Sequence, residues 1–212
     1  SESPAPVATA VGEAHYATND LQFSPQGLHF DGSNYLHLDL PQTALTEATL
    51  SMWLKLDTTT PTDESKTGIM KLGGGDNNHY TWTNGLIYLD TFRSSRISNI
   101  GDPATDRSVW RHLVVTSKPG NENYVVYLDG QSIAAGIGEG SITLPADASI
   151  GMGNGFWLEG SIAQLALWDK ALSAVEVGLL FDQQAPGFVG YPHVVDVSAT
   201  NADGTYIIGD VI

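Results

Sequence analysis

Residues 110–134 read WRHLVVTSKPGNENYVVYLDGQSIA. Within it, NYVVYLDGQSI (123–133) sets two apolar runs on either side of Asp129-Gly130. Asp-Gly between such runs is a tight-hairpin signal, because the turn requires positive φ and glycine accepts it without steric penalty. The stretch therefore predicts antiparallel strands at 110–116, 124–128 and 132–134. Working outward, short runs of apolar and aromatic residues recur at 28–30, 35–40, 50–56, 69–72, 80–83, 86–92 and 96–100, and again at 141–144, 149–151 and 160–168. Gly, Asn, Asp or Pro separates them, which is the punctuation of strands in series. In 50–56 the side chains of Leu50, Met52, Leu54 and Leu56 share one face while Trp53 takes the other. The predicted class is all-β, a two-sheet antiparallel sandwich.

Two regions depart from this rhythm. Near the end, Ser173 is followed three positions later by Glu176, a capping-box spacing that predicts a short helix, after which Pro186 and Gly187 close the domain. The opening, 1–18, is rich in Pro and Ala without a sustained period and reads as a linker or N-terminal arm. The predicted organisation is an arm at 1–18, a sandwich at 19–188 and a C-terminal extension at 189–212.

Composition narrows the function. With 24 acidic against 9 basic side chains the formal charge is −15, so phosphate backbones and anionic headgroups are repelled and nucleic acid is not an expected partner. No apolar run approaches the roughly 20 residues needed to cross a bilayer, so membrane insertion is not expected. SESPAPVATA lacks the basic and apolar regions of a signal peptide, and the expectation is a soluble segment of a mature protein. There is no cysteine, which excludes disulfide scaffolds, thiol nucleophiles and thiolate metal sites, so any metal must be held by oxygen or histidine. Charged residues make up only 16% while Ser, Thr, Asn and Gly abound, a balance that points to an extracellular protein.

Four segments in this order, LHFDGSNYLHL (28–38), ATLSMWLKL (48–56), residues 110–134 and SIGMGNGFWLEGSIAQLALWDKALSAVEVGLL (149–180), resemble the laminin-G-like jelly-roll family, the concanavalin A-like sandwich that also includes pentraxins. The resemblance covers about 20–186. It implies two face-to-face antiparallel sheets with jelly-roll connections. The chain departs from many relatives in one place: Ala163-Gln164 follows Ile162 where they carry an aspartate, which puts that residue's calcium role in doubt. The tail VVDVSATNADGTYIIGDVI (194–212) is similar to the opening strands of immunoglobulin-like or cadherin-like repeats in large bacterial surface adhesins of the repeats-in-toxin type. It implies a neighbouring module in the same chain.

Glycoside hydrolysis needs two carboxylates roughly 5–10 Å apart. Asp31, Asp39, Asp57, Asp90, Asp129 and Asp169 are dispersed, and neither a G-x-S-x-G elbow nor an H-E-x-x-H pair occurs. The expectation is that the protein is not an enzyme. The richest candidate ligand site is GGGDNNHYTWTNGLIYLDTFRSSR (73–96), where His79 lies among stacking and hydrogen-bonding groups. There Tyr80, Trp82 and Tyr88 would stack on a sugar while Asp76, Asn77, Asn78, Asp90 and Arg93 hydrogen-bond. The competing reading makes Trp82, Tyr88 and Phe92 core aromatics. In GMGNGFWLEGS (151–161) glycines allow a tight rim loop that exposes Phe156 or Trp157 to a ligand or partner; Trp157 could equally cap the core. Asp76, Asp102 and Asp106 are oxygen donors for a calcium site; the same loops also read as Asx turns. His112 reads as structural.

The resulting expectation is a non-catalytic extracellular or cell-surface recognition module of a bacterial adhesin, binding a glycan or cell-surface protein with the assistance of calcium. The alternative is a spacer or self-association unit forming a homodimer.

Overall fold

Alternating apolar residues give each strand one face that must leave water, and the structure, a computed structural model, meets that demand by stacking two sheets. It describes residues 7–11, 15–18, 26–40, 44–61, 66–72, 79–83, 86–89, 97–100, 107–138, 142–144, 147–182, 192–193, 199–200 and 206–207. In chain order the strands are β1 (Val7–Val11), β2 (His15–Thr18), β3 (Gln26–Asp31), β4 (Tyr35–Asp39), β5 (Ala44–Leu45), β6 (Ala48–Leu56) and β7 (Lys66–Lys71). There follow β8 (His79–Thr83), β9 (Leu86–Leu89), β10 (Ile97–Ile100), β11 (Arg111–Ser117), β12 (Gly120–Leu128), β13 (Gln131–Gly138) and β14 (Ile142–Thr143). Then come β15 (Asp147–Ile150), β16 (Met152–Gly153), β17 (Phe156–Trp157), β18 (Glu159–Trp168), α1 (Ala174–Asp182), β19 (Pro192–His193), β20 (Ala199–Thr200) and β21 (Tyr206–Ile207).

One sheet runs β10-β9-β8-β7-β15-β4-β1-β21-β20, and the other β13-β12-β11-β6-β18-β3-β2 with β19 also on β18. The pairings between described strands in both are antiparallel. The jelly-roll sandwich expected from the alternation is therefore the observed architecture. Between the sheets lies one apolar core containing Leu36, Leu38, Leu50, Met52, Leu54, Met70, Leu89, Leu113, Val126 and Ile150. Each such buried side chain contributes on the order of 1.5–3 kcal/mol relative to exposure.

The segments at both ends of the chain enter these sheets. β1 pairs with β4 from Val7↔Asp39 to Val11↔Tyr35, and β2 pairs with β3. Residues 1–18, read from sequence as an arm, thus supply a strand to each sheet, because the edges of β4 and β3 carry N–H and C=O groups that another strand satisfies. The tail adds β21 against β1 and β20 against β21.

The local signals behave as physics requires. Leu128 faces Gln131 across the Asp129-Gly130 turn, with φ of 49° and 76°, the two positive values of a type I′ hairpin. The Asp129 carboxylate accepts a hydrogen bond from the His112 amide at 2.9 Å and pairs with Arg111. At the start of α1 the capping box closes: the Ser173 amide donates to Glu176 Oε2 at 2.6 Å and the Glu176 amide to Ser173 Oγ at 3.3 Å. The extra residue in β18 falls between Ala163 and Ala166, where Gln164 takes a φ of 48°. That bulge holds the Ala163-Gln164 pair noted above.

The helix covers the outer face of the β6–β11–β12 sheet. Val177 and Leu180 pack with Val114, Tyr127, Trp168 and Leu172, and Phe181 stacks 5.8 Å from Trp53 and 6.0 Å from His112. β6 is therefore buried on both faces along nearly its whole length. His112 Nε2 lies 2.8 Å from Ser51 Oγ, while its buried Nδ1 has no hydrogen-bond partner. Desolvation outweighs the attraction of Asp129 and lowers the His112 pKa from 6.5 to about 4.

The unfolded chain accepts the His112 proton near pH 6.5, whereas the folded chain refuses it until about pH 4. Stability is thus intact above the upper value and falls as pH drops through this window, by about 3 kcal/mol in all from this residue. Urea unfolding followed across that window will show the loss. In His112→Phe, which keeps the stack and cannot titrate, the fall across the same window will shrink by at least half.

Candidate functional site on the open sheet face

Among the described residues no helix packs on the outer face of the nine-stranded sheet. That face is built from alternation in β4, where Leu36 and Leu38 turn into the core and Tyr35, His37 and Asp39 turn out. Register carries the outward row across the neighbouring strands. Ser149 of β15 opposes His37 on one side and Lys71 of β7 on the other, and Asp147 opposes Asp39. The polar groups converge: His37 Nε2 is 3.2 Å from Asp39 Oδ1, His37 Nδ1 is 3.4 Å from Asp147 Oδ1, and Lys71 Nζ is 3.6 Å from Asp147 Oδ2. The Asp39 and Asp147 carboxylates remain 67% and 70% exposed, so most of their acceptor capacity faces solvent. Exposed pairs of this kind contribute about 0–1 kcal/mol to stability; their arrangement matters for what they can bind.

Tyr35 lies two residues along β4 from His37, about 7 Å away, and it begins an aromatic rim. The Trp157 ring meets it edge-to-face at 5.4 Å and 69°, and Trp157 is 36% exposed. The hairpin β16–β17 delivers this indole through the turn Asn154-Gly155, with φ of 53° and 80°. Two glycines fix the hairpin's path. At Gly151, with φ of 86°, a Cβ would fall 2.1 Å from the Phe30 ring, and at Gly68 of β7 it would fall 2.3 Å from the Phe156 carbonyl oxygen. Gly151 donates to the Ile69 carbonyl and accepts from the Leu158 amide, each at 2.8 Å, which ties both ends of the hairpin down. An exposed aromatic pair on the same sheet face as carboxylate, imidazole and ammonium groups suits an extended ligand with apolar C–H patches and hydroxyls.

The residues singled out in 73–96 divide. Tyr80 lies in register between Met70 and Leu89, both buried, and Trp82 lies in register between Thr67 and Ile87. His79 opposes Lys71, and Tyr88 opposes Thr81. Tyr88 is half-buried. Asp76, Asn77, Asn78, Asp90, Arg93, Asp102 and Asp106 lie outside the described residues. Trp157 lies in β17 with its side chain partly exposed. Tyr35, His37, Asp39, Lys71 and Asp147 were not singled out from sequence as ligand groups. Their signal was present in YLHLDL (35–40), whose every second residue is apolar and whose alternate positions are aromatic, imidazole and carboxylate. Among the described residues no three His, Asp or Glu side chains are grouped to hold a metal ion.

A family model described as the concanavalin A-like lectin/glucanases superfamily, of laminin G type, matches residues 30–178. The chain belongs to this superfamily. No curated protein sequence matches this lectin/glucanase-type chain. Its fold is similar to that of the receptor-binding domain of botulinum neurotoxin mosaic serotype C/D, with a TM-score of 0.63 and 14% identity over 84% of this chain and 46% of that one. The binding domain of botulinum neurotoxin DC, solved in complex with rat synaptotagmin II, gives 0.59 and 13% over 84% and 47%. The chain thus spans about half the length of these neurotoxin domains. Domain 4 of an extracellular family 43 arabinanase from Geobacillus stearothermophilus, solved with arabinotriose, gives 0.57 and 17% over 82% and 87%. At these identities the likeness is one of fold.

The hairpin contact yields a test. Gly68→Ala will push its methyl against the Phe156 carbonyl and destabilise the chain by about 1–3 kcal/mol. Gly178→Ala, in α1 with nothing within 4 Å of the new methyl, will stabilise it by up to about 1 kcal/mol. Thermal melts of the two variants should move in opposite directions.

Proposed function

We propose that this domain is a non-catalytic recognition module that binds a glycan on the outer face of its nine-stranded sheet. Trp157 and Tyr35 form the stacking rim, and His37, Asp39, Asp147 and Lys71 form the hydrogen-bonding floor. The observation that carries the reading is the Tyr35–Trp157 pair, held by backbone contacts and exposed at one end of the outward row of β4 that continues through His37 to Asp39. Sugars offer this combination its complement, with C–H faces to the indole and hydroxyls that donate to carboxylate oxygens. Arabinotriose bound to a domain of like fold supports the reading; a protein ligand, as in the synaptotagmin complex, is its rival. The acidic charge favours neutral sugars over anionic ones.

The placement we infer is extracellular, within a bacterial surface adhesin, following the resemblance of 194–212 to adhesin repeats. Calcium belongs to the proposal through Asp76, Asp102 and Asp106, in the segments that join β7 to β8 and β10 to β11. The alternative, a spacer or self-association unit, draws support from the β13 edge treated below.

Trp157→Ala should weaken binding to glycans captured on an array at least tenfold, equivalent to about 1.4 kcal/mol, while shifting the melting temperature by no more than a few degrees. An array that stays blank at millimolar sugar, or binding that survives Trp157→Ala and Tyr35→Ala together, would refute the site. For calcium, saturating ion will raise the melting temperature and chelator will reverse it, since a ligand held only by the native state stabilises it; a flat response removes the metal.

A further inference from the structure

The edge of the second sheet carries a feature that sugar recognition does not use. β13 ends the order β13-β12-β11-β6-β18-β3-β2, and among the described residues no strand pairs with its outer side. Its eight residues, Gln131–Gly138, contain no charge and no proline, in a chain whose formal charge is −15. Natural edge strands are usually blunted by charge, by proline or by brevity. Among the described residues the protection consists of register irregularities against β12, one of them beside the hairpin turn, and the nearby β10 of the other sheet.

The pattern of this edge is symmetric. Ala134 packs against the core, whereas Ile133, Ala135 and Ile137 are exposed, the isoleucines by 39% and 46%. Read in either direction from Ala135, the sequence passes one small residue and then reaches an isoleucine. A two-fold axis at Ala135 would set Ala135 against its own copy and Ile133 against Ile137 of the second copy. This is the self-complementarity that a closed dimer requires. The edge also offers two negatively charged copies a line of approach on which no like charges oppose each other. A foreign strand would gain the same backbone bonds, but it would have no use for the palindrome.

We propose that two copies of this chain associate by antiparallel pairing of β13 with β13, joining their second sheets into one continuous sheet and leaving both Trp157 rims free. The proposal stands independently of the ligand. The absence of cysteine makes its test direct. Opposed residues in an antiparallel pair have Cα atoms about 4.5–5.5 Å apart, within the reach of a disulfide. Under mild oxidation Ala135→Cys will give a covalent dimer, whereas Ser173→Cys, exposed at the start of α1, will stay monomeric. Sedimentation equilibrium of the unmodified chain will show a dimer, and Ala135→Lys, which sets two ammonium groups face to face, will raise its dissociation constant at least tenfold while leaving the melting temperature unchanged at concentrations where both chains are monomeric.

A monomer at the highest soluble concentration would overturn the proposal and return the edge to a different strand donor. A dimer that survives Ala135→Lys, or equal cross-linking of the two cysteine variants, would overturn it in favour of another surface.

Discussion

The stack of Phe181 on Trp53 and His112 is the contact that gives the two sheets different fates. A sheet in a two-layer sandwich has one face for the core and one for water. The outward residues of β6 and β11 include an indole, an imidazole and a valine, none of which is suited to full hydration. Covering them requires a third layer, and α1 provides it at the end of a chain segment braced by the capping box. Thr49 Oγ1 strengthens the approach, donating to the Lys170 carbonyl at 2.6 Å and accepting from the Leu172 amide at 2.9 Å. Burial on both faces makes β6 the least negotiable strand of the fold, and the same burial makes His112 intolerant of a proton.

The other sheet has no such cover among the described residues, and β4 turns Tyr35, His37 and Asp39 outward there. The buried aromatic stack and the exposed polar row therefore lie on opposite outer faces of the sandwich. The hydrogen bonds and ion pairs that link His37, Asp39, Asp147 and Lys71 are too exposed to hold the fold, so changing them alters chemistry at little structural expense. The aromatic rim sits between these regimes: Trp157 is presented to solvent, but its hairpin is positioned by backbone atoms pressed against Gly68.

Much of the architecture could be read from the sequence because period-2 alternation, an Asp-Gly turn and a Ser-x-x-Glu cap are local signals. The strand read at 50–56 and the hairpin at 129–130 needed no tertiary information. Trp53 shows the limit, since alternation gave its direction and could not say that a helix more than a hundred residues later would bury it. The open-face site was harder to see for the same reason. Its members come from β4, β7, β15 and β17, and only register brings Ser149 beside both His37 and Lys71. The aromatic-rich run at 73–96 drew attention because its groups are neighbours in the chain; register sets Tyr80 opposite Leu89 and Tyr88 opposite Thr81 on paired strands. The end strands were missed because VATAV and HYAT are short and weakly apolar, and their pairing is decided by the edges they complete.

One consequence follows from the hairpin that carries Trp157. Its base is fixed by glycine contacts and two backbone hydrogen bonds, but at its tip a methyl group on Gly155 would touch nothing within 4 Å. The tip is therefore a mounting point: residues spliced in between Asn154 and Gly155 would project beside the open face without disturbing the layers beneath. Relatives that kept the scaffold could diversify their specificity there, and a designer could graft a new recognition loop at the same place.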